Sequence, residues 1–264
     1  MRMRRRDRKD YYYRKAKREG FRSRAAYKLI EISERFRLFK GKESVVDLGA
    51  APGGWLQVAR VLTRGKVVGV DLQEIEPIEG VEIVKGDMRR KETLEKVRKI
   101  VERVDIVLCD ASPNLSGVWS YDHARSIELS EHALQFAKSM LREGGSFVCK
   151  VFQGDMFNTF VEKVRWHFAR VHIFTPKASR KESAEVYVIG KGFYHPKVLP
   201  GEEYEVRVDD VSERGEGVAR LDDFVVFIKG AKKGERVRCR ITKVRQRYAV
   251  AKLIPNRSES LRSQ

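Results

Sequence analysis

Hydrophobic and polar positions follow two different rhythms along this chain, and the change of rhythm divides it. Up to about residue 195, short apolar runs of strand length alternate with segments whose apolar residues recur every three or four positions, which predicts strands joined by amphipathic helices. The strands fall at Val45 to Asp47, Lys66 to Val70, Val81 to Val84, Val104 to Leu108, Ser146 to Phe152, Val171 to Phe174 and Ala184 to Ile189. The helices run from Ser23 as N-cap through Ala26, Leu29, Ile30, Ile32 and Phe36, then over Leu56 to Leu62, Glu92 to Val101, Asp122 to Leu141 and Met156 to Phe168. A helix between successive strands implies parallel pairing. The stretch Thr175 to Ser183 is too short for a crossover helix, so the last two strands must pair as an antiparallel hairpin. The expected fold is α/β, a seven-stranded Rossmann-like sheet with one antiparallel edge strand.

Beyond His195-Pro196 the period drops to two. Tyr204 to Val208, Gly217 to Leu221, Phe224 to Ile228, Arg236 to Val244 and Tyr248 to Leu253 alternate apolar and polar residues between Gly or Asp turns, one of them at Asp222-Asp223. That spacing predicts a small closed antiparallel β-barrel. The chain thus divides into a basic arm over 1–22, an α/β domain over 23–195, a barrel over 196–256 and a tail over 257–264.

Charge adds a partner to this outline. The 264 residues carry 55 Lys and Arg against 37 Asp and Glu, a net charge of +18, which draws a protein toward polyanions. The excess is bunched: residues 1–24 hold 12 basic and 3 acidic residues, and no acid lies between Arg236 and Ile254. Arg4, Arg5 and Arg6 lie in the same arm as Tyr11, Tyr12 and Tyr13, a mixture that suits RNA by pairing phosphates and stacking bases, although a solvated tail has the same composition. No apolar run reaches membrane-spanning length and no hydrophobic segment follows the N-terminal arginines, so a cytoplasmic protein without a membrane partner is expected. Cys109, Cys149 and Cys239 sit inside apolar or alternating runs without paired spacing, which makes them small packing residues rather than zinc ligands. No metal is expected.

The chemistry concentrates at strand ends. After the first strand, Gly49, Gly53 and Gly54 surround Ala-Ala-Pro and open a helix, forming a loop on which a ligand can lie against bare backbone. Pro52 removes a donor and the spacing is not Gly-x-Gly-x-x-Gly, so a pyrophosphate is poorly served. Asp71 and Asp87 end the next two strands, one placed for ribose hydroxyls and the other for an adenine edge. A nucleoside without phosphates fits this set, and S-adenosylmethionine is the expected cofactor. Asp110 ends the fourth strand and stands beside that ligand. Lys150 lies among Val148, Val151 and Phe152, where burial favours the neutral, basic amine unless the long stem reaches solvent. Lys28 sits among apolar neighbours on the first predicted helix, and Glu185 begins the last strand of the sheet. Lys177, Arg180 and Lys181 place a basic loop near the same edge, able to guide phosphates.

Four stretches resemble a known family. They are Arg-Ser-Arg-Ala-Ala-Tyr-Lys-Leu at 22–29, Asp-Leu-Gly-Ala-Ala-Pro-Gly-Gly-Trp at 47–55, Cys-Asp-Ala-Ser-Pro-Asn at 109–114 and Val-Cys-Lys-Val-Phe at 148–152, and together they resemble the FtsJ-type ribosomal RNA 2'-O-methyltransferases. The resemblance covers roughly residues 8–195. It implies a catalytic tetrad of Lys28, Asp110, Lys150 and Glu185, and cofactor contacts at Gly53, Trp55, Asp71, Asp87 and Asp110, beside Gly49 of the loop. It implies methyl transfer to a uridine ribose in 23S ribosomal RNA, with ribosomal RNA or the large subunit as partner and a monomer as the working form. Transfer RNA as substrate, or a non-catalytic role in ribosome assembly, are the alternatives. A base methylase would share the cofactor fold, but Asp-Ala-Ser-Pro-Asn lacks the aromatic an amino-group methylase places after its prolines. The segment from Gly-Glu-Gly-Val-Ala-Arg through Val-Phe-Ile-Lys-Gly-Ala resembles the TRAM module, an OB-like RNA-binding barrel. Lys243, Arg245 and Arg247, with Lys229, Lys232 and Tyr248, form its expected RNA face.

Overall fold

The computed structural model describes residues 5–180, 183–221 and 224–255. In chain order the elements are α1 (Arg5–Arg18), α2 (Ala26–Phe36), β1 (Val45–Leu48), α3 (Gly54–Leu62), β2 (Val67–Asp71), β3 (Val81–Lys85), α4 (Lys91–Ile100), β4 (Val104–Cys109), α5 (Trp119–Met140), β5 (Leu141–Phe152), α6 (Phe157–Arg165), β6 (Phe168–Phe174) and β7 (Glu185–Phe193). They are followed by β8 (Glu203–Val211), β9 (Gly217–Leu221), β10 (Phe224–Lys229), β11 (Arg236–Val244) and β12 (Tyr248–Leu253). The chain divides into two compact units near residue 194, with residues 165–169 grouped with the second. Among the described residues, no helix is long and apolar enough to cross a membrane.

The first unit holds a seven-stranded sheet in the order β3-β2-β1-β4-β5-β7-β6. β1 is buried along its whole length because it lies inside the sheet, parallel to β2 on one side and β4 on the other. The connection through α3 runs outward one way and those through α4, α5 and α6 run the other way, so right-handed crossovers put the two sets on opposite faces. Ala26, Leu29 and Ile32 of α2 and Leu56 and Ala59 of α3 pack on Val45, Ile106, Leu108, Val148, Tyr187 and Ile189, one face of the sheet. The order reverses between β1 and β4, and the loops leaving those two strands part there to leave a crevice at the carboxyl end of the sheet. β7 runs antiparallel to β5, with Phe152 opposite Glu185 and Lys150 opposite Tyr187. It is threaded between β5 and the outermost strand β6.

The second unit closes β10-β12-β11-β8-β9 into a barrel around Val206, Val226, Ile228, Ile241 and Ala249. All but one of its pairings are antiparallel. β10 and β12 run parallel, which departs from the all-antiparallel barrel read from the alternation. Period-two patterning fixes which side chains face inward but carries no information on strand direction.

Several boundaries also shift. Ser23 does not cap α2, which starts at Ala26 with no side-chain cap; the Ser23 carbonyl instead accepts from the Ala26 N–H in a preceding turn. α5 begins at Trp119, three residues before the expected start at Asp122, and ends at Met140, ahead of Gly144-Gly145. β5 begins at once, and its register with β4 jumps from Val104–Leu141 to Ile106–Ser146, so the two glycines lie in an irregularity of the strand. The basic arm is helical over α1, where Ala16 is buried at 2% exposure and packs with Tyr27 and Ala178. Its composition hides this, because Ala16 and the ring of Tyr12, set among charged residues, supply the docked side. Arg4, Lys181, Asp222, Asp223 and the tail at 257–264 lie outside the described residues.

Candidate active site

Strand alternation explains how the charged residues meet. Ile106 and Leu108 face α2 and α3, and two residues on, Asp110 continues that row just past the end of β4. Val148 and Lys150 form the matching row on β5, and Ile189, Tyr187 and Glu185 the row on β7. The α2 helix, packed on the same face, adds Lys28. Four residues scattered over 158 positions of sequence are thereby brought to one point at the carboxyl end of the sheet.

The contacts are short and dry. The Lys150 Nζ donates to the Asp110 carbonyl oxygen at 2.6 Å and lies 3.2 Å from Asp110 Oδ1. The Lys28 Nζ lies 2.9 Å from Glu185 Oε1 and 3.8 Å from Asp110 Oδ2. The phenol of Tyr187 donates to Asp110 Oδ1 at 2.6 Å, and Lys28 stands 5.5 Å over the same ring. Lys28, Lys150 and Glu185 are 6%, 8% and 9% exposed, so these charges face each other rather than water. Burial pushes the Asp110 carboxyl up, but Lys150, Lys28 and the Tyr187 hydroxyl more than offset this and hold it below the usual carboxylate range. Burial, then the charges of Asp110 and Glu185, push the Tyr187 phenol well up, so it stays a donor.

Tyr187 was not among the residues expected from the sequence, and neither was Arg24, whose charge interacts with Glu185, Tyr187 and Asp110. A signal existed for Tyr187: it stands two positions from Glu185, which on a strand means the same face. Arg24 precedes α2 in a turn and has no periodicity to give it away.

Asp110 also belongs to the wall of a cleft of about 470 Å³, together with Gly49, Ala51, Asp71, Asp87 and Pro113. That volume falls in the range of small-molecule sites, roughly 300–1,000 Å³. Gly49 has φ +71°, and a Cβ there would stand 2.5 Å from the Ala111 Cβ, so only glycine lets the β1 and β4 loops close on each other. Asp71 accepts the Ala51 N–H at 2.9 Å and the Gln73 N–H at 2.8 Å, which anchors the loop and leaves each oxygen a second lone pair for a ligand hydroxyl. The Asp87 carboxylate is gripped by the Arg89 guanidinium at 2.7 and 3.0 Å, which outweighs burial and holds it low. Leu72, Met88 and Pro113 supply apolar wall. A glycine cradle, an anchored acid at a strand end and a partly apolar wall, with the lining Arg89 already committed to Asp87, fit S-adenosylmethionine.

Two expected cofactor residues do not line this cleft. Gly53 takes φ +109° as the N-cap of α3, and its neighbours are Arg22 and Ile78. Trp55 is 3% exposed, donates its indole N–H to the Ala25 carbonyl at 2.8 Å and lies 5.9 Å from the Tyr187 ring. Its place is in the core beneath the site, tying α2 to the sheet. The expected RNA contacts are spread further. Lys177 and Arg180 are exposed on the loop before β7, which is fixed to α2 where the Lys177 N–H donates to Glu31. Lys243, Arg245 and Arg247 sit at the turn between β11 and β12 of the barrel, Lys243 and Arg247 exposed and Arg245 half-buried. Arg5 and Arg6 open α1. The three cysteines are free and buried, as packing residues should be.

Comparison with known proteins adds to this geometry. Residues 21–193 match the FtsJ-like methyltransferase family and residues 197–254 match the TRAM domain. The chain is 55% identical over 250 residues to the ribosomal RNA large subunit methyltransferase E of Methanothrix thermoacetophila, covering 94% of this chain and 98% of that one. It is 54% identical over 248 residues to the protein of the same name from Methanosarcina barkeri, covering 93% and 94%. A crystal structure described as a ribosomal RNA methyltransferase of Plasmodium falciparum aligns with a TM-score of 0.60 at 29% identity, over 66% of this chain and 98% of that one.

Proposed function

The chain belongs to the FtsJ-like methyltransferase family, and from that premise we propose that it transfers a methyl group from S-adenosylmethionine to a ribose 2'-hydroxyl of RNA, a uridine of 23S ribosomal RNA in the large subunit. One observation carries the reading: Asp110 is at once part of the cofactor cleft and part of the buried lysine–acid cluster. A methyl donor in the cleft and a base in the cluster are then separated by a single residue. The TRAM barrel, the basic turn at Lys243, Arg245 and Arg247 and the exposed Lys177 and Arg180 support RNA as the substrate.

A ribose hydroxyl attacks only if its proton is removed as the new bond forms, so a positioned base is required. Lys150 is that base. When bound, the cofactor supplies a methyl carbon activated by its sulfonium. In its unprotonated form the Lys150 amine takes the 2'-hydroxyl proton as that oxygen bonds to the methyl carbon, and the ammonium so formed is matched by the Asp110 carboxylate 3.2 Å away. Asp110 and Tyr187 hold the amine in place, and Lys28 with Glu185 keeps the surrounding charge balanced.

Methyl transfer from labelled S-adenosylmethionine to large-subunit RNA tests the reading, with nuclease digestion of the product. Labelled nuclease-resistant dinucleotides are expected, because a methylated 2'-oxygen cannot attack the adjacent phosphate. Label appearing only in base-modified mononucleotides would assign the enzyme a different acceptor.

A further inference from the structure

The stretch after β4 exposes more apolar surface than a loop beside an active site needs. Leu115, Val118, Trp119 and Tyr121 are 65%, 59%, 51% and 55% exposed. The segment is nevertheless pinned. The Asp122 carboxylate, itself buried, accepts the Ser116 N–H and hydroxyl at 2.8 Å and the Gly117 N–H at 3.1 Å, and Arg125 Nη1 donates to the Asn114 carbonyl at 3.2 Å. Half-exposed aromatic rings are costly to leave in water, and these two are built into the first turn of α5, two positions apart and so on different sides of it.

Its neighbours connect it to the reaction site at two points. The Trp119 indole lies within 21° of parallel to the Phe152 ring and within 16° of the His123 imidazole, both at 6.0 Å between centroids. Phe152 is two residues beyond Lys150 on β5 and directly opposite Glu185 on β7. The Arg125 guanidinium stands 5.4 Å over the Tyr121 ring, and Arg125 and Asn114 both line the cofactor cleft. Flat π-surface beside a fixed cation, continuous with the place where a ribose must lie, matches an unpaired nucleotide: the base offers a face to stack and the phosphate a charge to pair.

We propose that Trp119 is a stacking platform for an unpaired base of the RNA substrate next to the methylated ribose, with Arg125, held over the Tyr121 ring on the neighbouring side of α5, facing the adjoining phosphate. The inference rests on the reading of the site as an RNA ribose methyltransferase. It makes Trp119 a substrate-positioning residue that sets how tightly RNA is held and leaves the proton transfer to Lys150.

The test uses the full chain, an in-vitro transcribed large-subunit RNA and labelled S-adenosylmethionine, with steady-state kinetics and RNA binding by fluorescence anisotropy. Trp119→Ala is expected to raise both KM for RNA and Kd for RNA about tenfold or more, the loss of one stacked base, with kcat and cofactor affinity little changed. Trp119→Phe, which keeps a flat ring, restores most of the binding, and Tyr121→Ala gives a smaller loss of the same kind. Unchanged KM and Kd in Trp119→Ala would assign the patch to something other than RNA and overturn the proposal. So would a Phe variant as weak as the Ala variant. If the wild-type protein binds the RNA but transfers no methyl, the platform is still judged by the Kd values, and only the enzymatic reading falls.

Discussion

The carboxyl end of the sheet and the wall of the barrel both join acids to bases, with opposite consequences. At the sheet, Lys28 meets Glu185 at 2.9 Å and Lys150 meets Asp110 at 3.2 Å, with Lys28 3.8 Å from Asp110, at exposures of 15% or less for each side chain. On the barrel, Glu203 takes Arg238 and Arg240 at once, with side chains 24–46% exposed. The distances are similar, but the solvent is not. Water screens the barrel pairs, which therefore contribute little; at the sheet each charge depends on its partner, because losing one leaves the other uncompensated. The buried cluster is a chemical device held at some cost in stability, and the barrel pairs are adjustable surface.

The sharpest way to break this comparison is to remove the base. Lys150→Ala is expected to lower single-turnover methyl transfer by roughly 10²- to 10⁴-fold, while calorimetry finds cofactor binding retained. Replacing Lys243, Arg245 and Arg247 together by alanine should instead weaken RNA binding and leave the rate at saturating RNA in place, as expected of contacts that hold substrate without touching the reaction. A triple variant that lost turnover at saturation would erase the distinction between the two regions.

Next in size is the structural cost of an orphaned charge. Lys28→Met strands the Glu185 carboxylate in a site 9% exposed, and breaking a buried pair of this kind costs roughly 3–5 kcal/mol. Urea unfolding measures it, and the double change Lys28→Met with Glu185→Leu should recover most of the loss. Failure to recover would mean that Lys28 stabilises through something other than that carboxylate.

A second buried acid sharpens the point from the other side. Asp47 on β1 is 1% exposed, and neither carboxyl oxygen has a hydrogen-bond partner. Burial, with the nearby Cys109, Asp110 and Asp71, pushes its carboxyl well up, where Asp110 with its two lysines is held low. The signs are opposite. Asp110 contributes stability that is present above the unfolded carboxylate value, about 3.9, and lost as the pH falls through its depressed folded value. Asp47 favours the folded state fully below about 3.9 and loses that contribution as the pH rises toward its raised folded value. Asp47→Asn should therefore gain on the wild type as the pH is raised from 4 toward 8, read as the difference in Tm between the two proteins. A difference independent of pH would show that Asp47 is ionised in both states.

The smallest effect belongs to the barrel. Glu203→Ala should leave Tm nearly unchanged at moderate salt, because two arginines that lose an exposed partner are still hydrated. A large drop would mean that this wall is not the adjustable surface described above.

Within the chain, local pattern fixed a good deal. The order of strands and helices, the change to a barrel after residue 196 and the glycine loop after β1 were legible because each depends on spacing that survives in one dimension, whereas the lysine–acid quartet was legible through the family resemblance of the motifs around it. What the chain does not write down is what approaches from far away. Tyr187 joins Asp110 across 77 positions, Trp55 packs in the core under α2 rather than in the cleft, and α1 docks against Tyr27 through Ala16 and Tyr12. The parallel pairing of β10 with β12 and the unpartnered state of Asp47 belong to the same group. Periodicity says which face of an element is buried, but which side chain meets which, and whether a buried acid finds a cation or nothing, is settled only when the sheet closes and solvent leaves.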